Sequence, residues 1–454
     1  MKKSTRIIVS LCLAAGMTFS SGISAYAASS VVETSVSESI RAEGVYKNWD
    51  GVSNVAQFKD KNGNFCFAYD DDDYVVVVRT NKKGNVLKKR IKLKKQHPIF
   101  GTVLSDKDGN FYVVTGEENK GSNKNKETVF ISKYSSSGKH IKTVGDDGRS
   151  SLGYWYDDSF NTQLPFEGGN CAAEINGNLL SVNYARSMYS GHQSNSVFTI
   201  NISTMKEVAA GIHYNSHSFA QRVTAFKNGF LYASEGDCYD RAFTISSYVN
   251  SSNTDNSKNS FHFWVPKGTF DDYDMLVLNN NFAHMGAIVN VNDKYGALVG
   301  TSVKSLNSDA KKENEQLFIQ IFDPSKSLNS SSAYVTSGTR SGVSGPNGDE
   351  KVTNYGVKWL TDVGSKVKIS NPQAVATKKG NIVILYEKRT SGKYYGVYYM
   401  VVNSKGEVTK KETKFTSKGH LNPCTMPVYA NGKVCWAGNK TGSKTVCIYS
   451  IDVD

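Results

Sequence analysis

Along most of the chain, short apolar runs rich in β-branched and aromatic residues alternate with polar turns that carry glycine. Phe65–Tyr69, Tyr74–Val78, Phe111–Val114 and Val129–Tyr134 are runs of this kind, and their length and composition predict β-strands. Apolar residues at helical spacing are almost absent, so helices are not expected to contribute to the core.

The turns repeat. Lys59-Asp60-Lys61-Asn62-Gly63-Asn64-Phe65, Ser105-Asp106-Lys107-Asp108-Gly109-Asn110-Phe111 and Glu174-Ile175-Asn176-Gly177-Asn178-Leu179 are the clearest copies. Weaker ones carry Gly229, Gly296, Gly380 and Gly432. Asn-Gly and Asp-Gly favour the positive φ angles of tight hairpins, so each copy predicts two strands joined by a short turn. The seven turn glycines are 46, 68, 52, 67, 84 and 52 residues apart, which puts the excess length in loops. Second turns, at Asn81 to Val86, Ser135 to Ile141, Ser203 to Val208, Asp323 to Leu328 and Asn403 to Val408, open a fourth strand in their units.

Four antiparallel strands repeated about seven times predict an all-β fold, a β-propeller in which each small sheet buries its faces on its neighbours. Two separate β-sandwiches are the alternative. The last unit stops after its third strand, Thr445 to Ile451, while Val31 to Val36 alternates in strand fashion ahead of the first unit. We therefore expect the N-terminal strand to complete the last blade and cover its open edge.

Ser105 to Gly116, followed by Phe130 to Gly138, resembles the β-propeller repeat of exported bacterial proteins, with its Asp-x-x-Gly-Asn turn, a strand ending in Gly and a later Lys-Tyr/Leu-x-x-x-Gly segment. The units around Gly63 and Gly380 match in part, and those around Gly229 and Gly296 hardly at all. The resemblance implies a propeller outside the cytoplasm and carries no single chemistry.

The N-terminus supports export. Lys2, Lys3 and Arg6 precede an apolar stretch from Ile7 to about Ala15, and Ala25-Tyr26-Ala27 offers a cleavage site. Residues 1–27 read as a signal peptide and 28–454 as one propeller domain, secreted or associated with the cell wall. The apolar run falls short of the ~20 residues of a membrane span, so no membrane insertion is expected after cleavage. We expect a monomer. Among 454 residues, Tyr 25 and Phe 21 exceed what a helical bundle needs, and Gly 39 against Pro 8 fits turns rather than a collagen-like chain. Loss of Lys2, Lys3 and Arg6 lowers the formal charge from +13 to +10. That excess favours anionic polymers in general. The lysines read chiefly as solubilising turn residues, and the lack of a basic block interleaved with aromatics argues against a nucleic-acid site.

Six cysteines remain after export, none with metal-binding spacing. Cys435 and Cys447 flank the turn Gly438 to Lys444 symmetrically, so a disulfide between them and a pair of buried thiols are both open. The acidic run Asp70-Asp71-Asp72-Asp73 lacks the alternating spacing that wraps an ion. A solvated turn is the favoured reading, and Ca²⁺ held by Asp70 and Asp72 the alternative. No other cofactor is expected.

In a propeller, the loops into first strands and between second and third strands share one face, where functional groups gather around the channel. The fourth unit places His217, Gln221, Arg222, Asp237 and Arg241 there, with His284 at the equivalent position of the next. Asn371-Pro372-Gln373 and His420-Leu421-Asn422-Pro423 follow in the last two units. These groups suit an acidic ligand, or structural hydrogen bonds between blades. The function expected is an exported binding propeller that recognises a glycan or a protein partner. The alternative is a polysaccharide-active enzyme such as a lyase on acidic sugars.

Overall fold

The computed structural model describes residues 29–35, 51–149, 158–236, 241–250, 252–264, 282–344, 350–391, 393–416, 419–422, 424–438 and 444–453. The expected signal peptide, Asp237 and one of the six remaining cysteines, Cys238, lie outside them.

Seven four-stranded antiparallel sheets form a ring. Blade 1 comprises Val55–Lys59, Phe65–Asp71, Tyr74–Arg79 and Ile91–Lys94; blade 2, Ile99–Ser105, Phe111–Gly116, Val129–Tyr134 and His140–Asp146. Blade 3 is built from Cys171–Asn176, Leu179–Met188, Gln193–Asn201 and Lys206–Ala210, with Thr162–Pro165 added beside its second strand. Blade 4 has Ser218–Phe226, Gly229–Gly236, Ala242–Val249 and Ser252–His262. Blade 5 has Ala283–Val291, Tyr295–Ser302, Gln316–Phe322 and Lys358–Trp359, and blade 6 Val367–Ala376, Ile382–Thr390, Lys393–Val402 and Val408–Thr416. Blade 7 joins Val428–Ala430, Lys433–Gly438 and Thr445–Asp452 to Ser29–Ser35.

All seven expected hairpin turns join a first strand to a second, and the N-terminal strand closes the ring as expected. Ser29 to Ser35 pairs antiparallel with Ile451 to Thr445. The closing strand turns Val32 toward blade 1, where it packs with Val55, Phe67, Val78 and Ile448.

The core lies between blades rather than within them. Between blades 1 and 2, Val75, Val77, Ile91 and Leu93 meet Phe100, Val103, Phe111 and Tyr134. This arrangement explains many of the tyrosines, since rings such as Tyr112, Tyr134 and Tyr184 fill inter-blade gaps while their hydroxyls find partners. Tyr134 donates to the Lys94 carbonyl at 2.5 Å, Tyr112 to Asp106 at 2.9 Å and Tyr184 to Asp146 at 3.1 Å.

Three expectations need correction. In blades 4 and 5 the left-handed turn positions are Lys227, at φ 50°, and Asn292 and Asp293, at φ 58° and 54°, rather than Gly229 and Gly296. Gly296 sits in the second strand, where a Cβ would come within 2.9 Å of Leu231 and of the Phe322 ring, so packing and not turn geometry requires glycine there. The turn after Asp323 does not lead directly to a fourth strand. The chain first makes an excursion containing the hairpin Thr339–Ser344 and Glu350–Tyr355, and only then adds Lys358–Trp359. That insertion accounts for the long spacing before Gly380. It leans on blade 4: Asn354 Oδ1 accepts from the His262 amide at 2.7 Å, and Arg340 stacks over Phe261 at 4.2 Å.

The third correction concerns the cysteines. The blade 7 register sets Gly438 opposite Cys447 and Cys435 opposite Ser450. The two cysteines are three positions out of register, so side-chain alternation sends them to opposite faces of the sheet. Cys435 packs toward blade 1 and Cys447 toward blade 6; both are free thiols. Burial pushes the Cys435 thiol up to about 12.

Candidate functional site

The seven first strands surround a central channel with two unlike ends, a loop face and a turn face. Within it lies a cavity of about 690 Å³ lined by residues of blades 1, 2, 3, 4, 6 and 7.

On the loop face several first strands carry a bulge: between Phe100 and Thr102, Ser218 and Ala220, Met285 and Ala287, and Ser370 and Gln373. A bulge re-aims the residues beside it and bends the strand. Here the bulges hand polar side chains across to the neighbouring blade. Gln221 and Asn170 form a reciprocal clamp between blades 3 and 4. Gln221 Oε1 accepts from the Asn170 amide at 2.9 Å, and Asn170 Oδ1 accepts from the Gln221 amide at 2.6 Å. Arg222 donates to the carbonyls of Gly286 at 2.6 Å, Gln221 at 2.9 Å and Met285 at 3.1 Å, joining blade 4 to blade 5 while lining the cavity. Arg241 is buried. His217 is half-buried with a left-handed backbone at φ 49°, its ring 5.9 Å from that of His192.

His284 pairs through Nδ1 with Glu315 Oε2 at 2.9 Å, and Thr301 donates to the same oxygen at 2.6 Å. Burial works to lower the imidazole pKa, but the Glu315 carboxylate outweighs it and lifts His284 to about 9. The imidazole is therefore a cation at neutral pH.

The loop-face groups thus divide into inter-blade contacts. The structure brings Arg222 beside the backbone that follows His284, and sends Gln221 to the other side of blade 4 to meet blade 3. Two of the most buried acids were not singled out by the sequence. Glu235 accepts the Met285 amide at 3.0 Å, and Glu387 accepts the Leu421 amide at 2.9 Å. Each lies on a second strand; Glu235 holds the start of the blade 5 first strand and Glu387 the segment that leads into blade 7, in both cases one residue after a histidine (His284 or His420). That Glu and His recurrence, two blades apart, was the signal available.

Asp70 and Asp72 belong to the acidic hairpin tip of blade 1. Asp70 pairs with Lys95 at 2.7 Å, while Asp72 is an exposed turn residue at φ 50°. Among the described residues no group of three or more His, Cys, Asp or Glu is arranged to hold a metal ion.

The turn face is different. Lys59, Lys61 and Lys107 stand at the cavity margin beside the first-to-second-strand turns. Of the acids next to them, Asp108 is exposed, whereas Asp60 and Asp106 are turned inward. Asp60 Oδ1 accepts the amides of Asn62 and Asn64, both at 2.9 Å. Asp106 accepts those of Asp108 and Asn110, at 2.9 and 2.8 Å, together with the Tyr112 hydroxyl. Burial raises the Asp106 pKa, but these hydrogen bonds outweigh it and hold the carboxyl below its usual range. Glu174, in the wall of blade 3, lines the same cavity within reach of the Lys59 charge. Burial pushes its carboxyl up to about 7 against the pull of Lys59. The sequence signal for these groups was the Lys-Asp-Lys and Asp-Lys-Asp frame of the clearest turns.

With this geometry the protein is a seven-bladed β-propeller. No known family model matches the chain, and no curated protein matches it. Among solved structures it is similar to the Dos1 propeller, with a TM-score of 0.42, 10% identity, and coverage of 91% of this chain and 82% of that one. It is also similar to a protein of unknown function from Dyadobacter fermentans, with a TM-score of 0.40, 11% identity, and coverage of 93% and 99%. A mutant Trypanosoma rangeli sialidase displaying trans-sialidase activity matches with a TM-score of 0.38 and 12% identity, over 82% of this chain and 59% of that one.

Proposed function

We propose that this protein is an exported binding propeller that takes an acidic glycan, or the acidic segment of a protein partner, at the cell exterior through the turn-face end of its channel. The observation that carries the reading is the cavity of about 690 Å³ margined by Lys59, Lys61 and Lys107, where the carboxylates of Asp60 and Asp106 are spent on their own turns. Several cations around one low-dielectric opening focus a field that attracts anions and raises their local concentration. A lyase reading asks for a neutral base and a free cationic clamp on the loop face. His284 is held protonated by Glu315, and Arg222 donates to three carbonyls. Binding without turnover is the better fit.

The test is titration of the exported protein with acidic and neutral oligosaccharides of equal length. Acidic chains should bind, and Lys59→Ala with Lys107→Ala should weaken them roughly tenfold, or about 1.4 kcal/mol. Equal affinity for neutral chains, or indifference to both substitutions, overturns the reading. New unsaturated sugar ends absorbing in the ultraviolet would instead establish the lyase.

A further inference from the structure

The densest cationic segment of the chain lies far from the channel. Lys82, Lys83, Lys88, Lys89, Arg90, Lys92, Lys94 and Lys95 fall within one stretch that contains no Asp or Glu. The fold places this stretch on the outer rim of blade 1, as the turn into its fourth strand and the strand itself.

The strand alternates strictly. Ile91 and Leu93 are buried against blade 2, and Lys92 and Lys94 are exposed on the opposite side. Same-face residues on a strand repeat at about 6.6 Å, so these two lysines form a regular row. Lys82, Lys83, Lys88 and Lys89 extend it, and all four are exposed. None of these six lysines makes an ion pair among the described residues.

The charged groups around the row leave it cationic. Lys95 is neutralised by Asp70 at 2.7 Å, and Asp71 of the same hairpin tip stands level with Tyr74 and Lys94 across the sheet, so carboxylates border the row at that end only. Arg90 is turned aside, donating to the Leu87 carbonyl at 2.5 Å and to Thr34 of the closing strand at 2.9 Å. Glu33, on that closing strand, sits opposite Cys447 and acts on Cys447 and Tyr449, on the side away from blade 1. Lysines keep outer strands from pairing edge to edge, but that purpose needs one or two and not an unpaired row of six.

We infer that the outer rim of blade 1 is a docking surface for a linear phosphodiester polymer without stacking bases, such as an anionic polymer of a cell wall. Three observations select this occupant. Lys92 and Lys94 repeat regularly along the strand, and the exposed lysines of the turn and connection before it continue the charge, which suits repeated charge on an extended chain. The row's cations are lysines, compact point charges that meet a phosphodiester from any direction, and the one arginine of the stretch, whose planar fork takes carboxylate or phosphate bidentately, is engaged elsewhere. Tyr74, the aromatic ring beside the row, is covered by the Lys92 ammonium 5.3 Å from its centroid, so it offers no platform for a base.

The experiment uses the exported protein and poly(glycerol phosphate) as the probe. Affinity should fall steeply and log-linearly with salt as condensed counterions are released. Lys88→Gln, Lys89→Gln, Lys92→Gln and Lys94→Gln together should weaken binding at least tenfold and flatten the salt slope. Lys410→Gln, Lys411→Gln and Lys414→Gln, on the outer strand of blade 6, should leave it within twofold. In the wild type, bound polymer should protect Lys88 to Lys94 from acetylation, read by mass spectrometry, which keeps the test independent of variant folding. Equal weakening by the two variant sets would reduce the effect to net charge and overturn the assignment. So would absence of protection, or binding to a polyuronate or single-stranded DNA at least as tight as to poly(glycerol phosphate).

Discussion

Glu235 of blade 4 accepts the backbone N–H of Met285, the first-strand residue of blade 5, at 3.0 Å while remaining 2% exposed. Glu387 makes the same contact with Leu421 on the way into blade 7. A carboxylate in this position closes the gap that a bulged strand start leaves in the ladder. Removing it strands a buried amide, which costs about 1–3 kcal/mol. Glu235→Ala and Glu387→Ala should each lower unfolding stability by that amount in urea titrations. An unchanged midpoint for both would show that the latch contributes nothing.

The closing strand should matter more than its length suggests. It pairs with all of Thr445 to Ile451 and contributes Val32 to the blade 7 and blade 1 core. A chain beginning after residue 45 should melt at least roughly 10 °C lower. It should also self-associate through the uncovered edge, which light scattering would detect. A truncated protein that stays monomeric with an unaltered melt would count against closure as a source of stability.

Two histidines should give opposite pH signatures. The folded pKa of His284 is raised, to about 9. Its contribution is fully present below the ordinary imidazole value near 6.5 and is lost as pH rises through about 9. His213 is buried between Ser234 and Ser246, bonded at 2.9 and 2.8 Å, and burial lowers it to about 3. The unfolded chain therefore binds the extra proton, and stability falls as pH drops from about 6.5 toward 3. The stability gap between wild type and His284→Gln should narrow from pH 6 to pH 10. His213→Gln should reduce the slope of stability against pH on the acid side. Parallel profiles for wild type and both variants would contradict these assignments.

The blade 7 thiols provide a simple chemical check. With Cys447 opposite Gly438, both Cys435 and Cys447 should react with a thiol reagent once the unreduced protein is denatured. Cys447→Ala should then cost far less than the roughly 2–5 kcal/mol lost with a native disulfide. A blocked pair in the denatured, unreduced chain would require a different register.

Much of the architecture was legible because its determinants are local. Asp106-Lys107-Asp108-Gly109-Asn110 specifies a tight turn through its own side chains and backbone, and the flanking runs specify strands through alternation. The same logic located the closing strand, since a unit lacking its fourth strand needs one from elsewhere. It failed at Gly296, where glycine is required by the approach of Leu231 and Phe322 from sequence-distant strands. It failed also at Cys435 and Cys447, because symmetry about a turn does not determine register when the neighbouring strand and both adjacent blades compete to place each side chain.

The chain by itself therefore determined an array of about seven blades, the position of the first-strand turns and the way the ring closes, all consequences of short-range turn chemistry and period-two patterning; the ring itself set the count at seven. Tertiary structure decided which polar groups are available. It spent Gln221 and Arg222 on neighbouring blades, coupled His284 to Glu315, and left Lys59, Lys61 and Lys107 at the channel margin and the lysine row on the blade 1 rim. A side chain's charge is written in the sequence, but what it faces depends on the blade folded beside it. In a ring of inter-blade interfaces, that neighbour's residues are often fifty or more positions away, as Glu235 is from Met285.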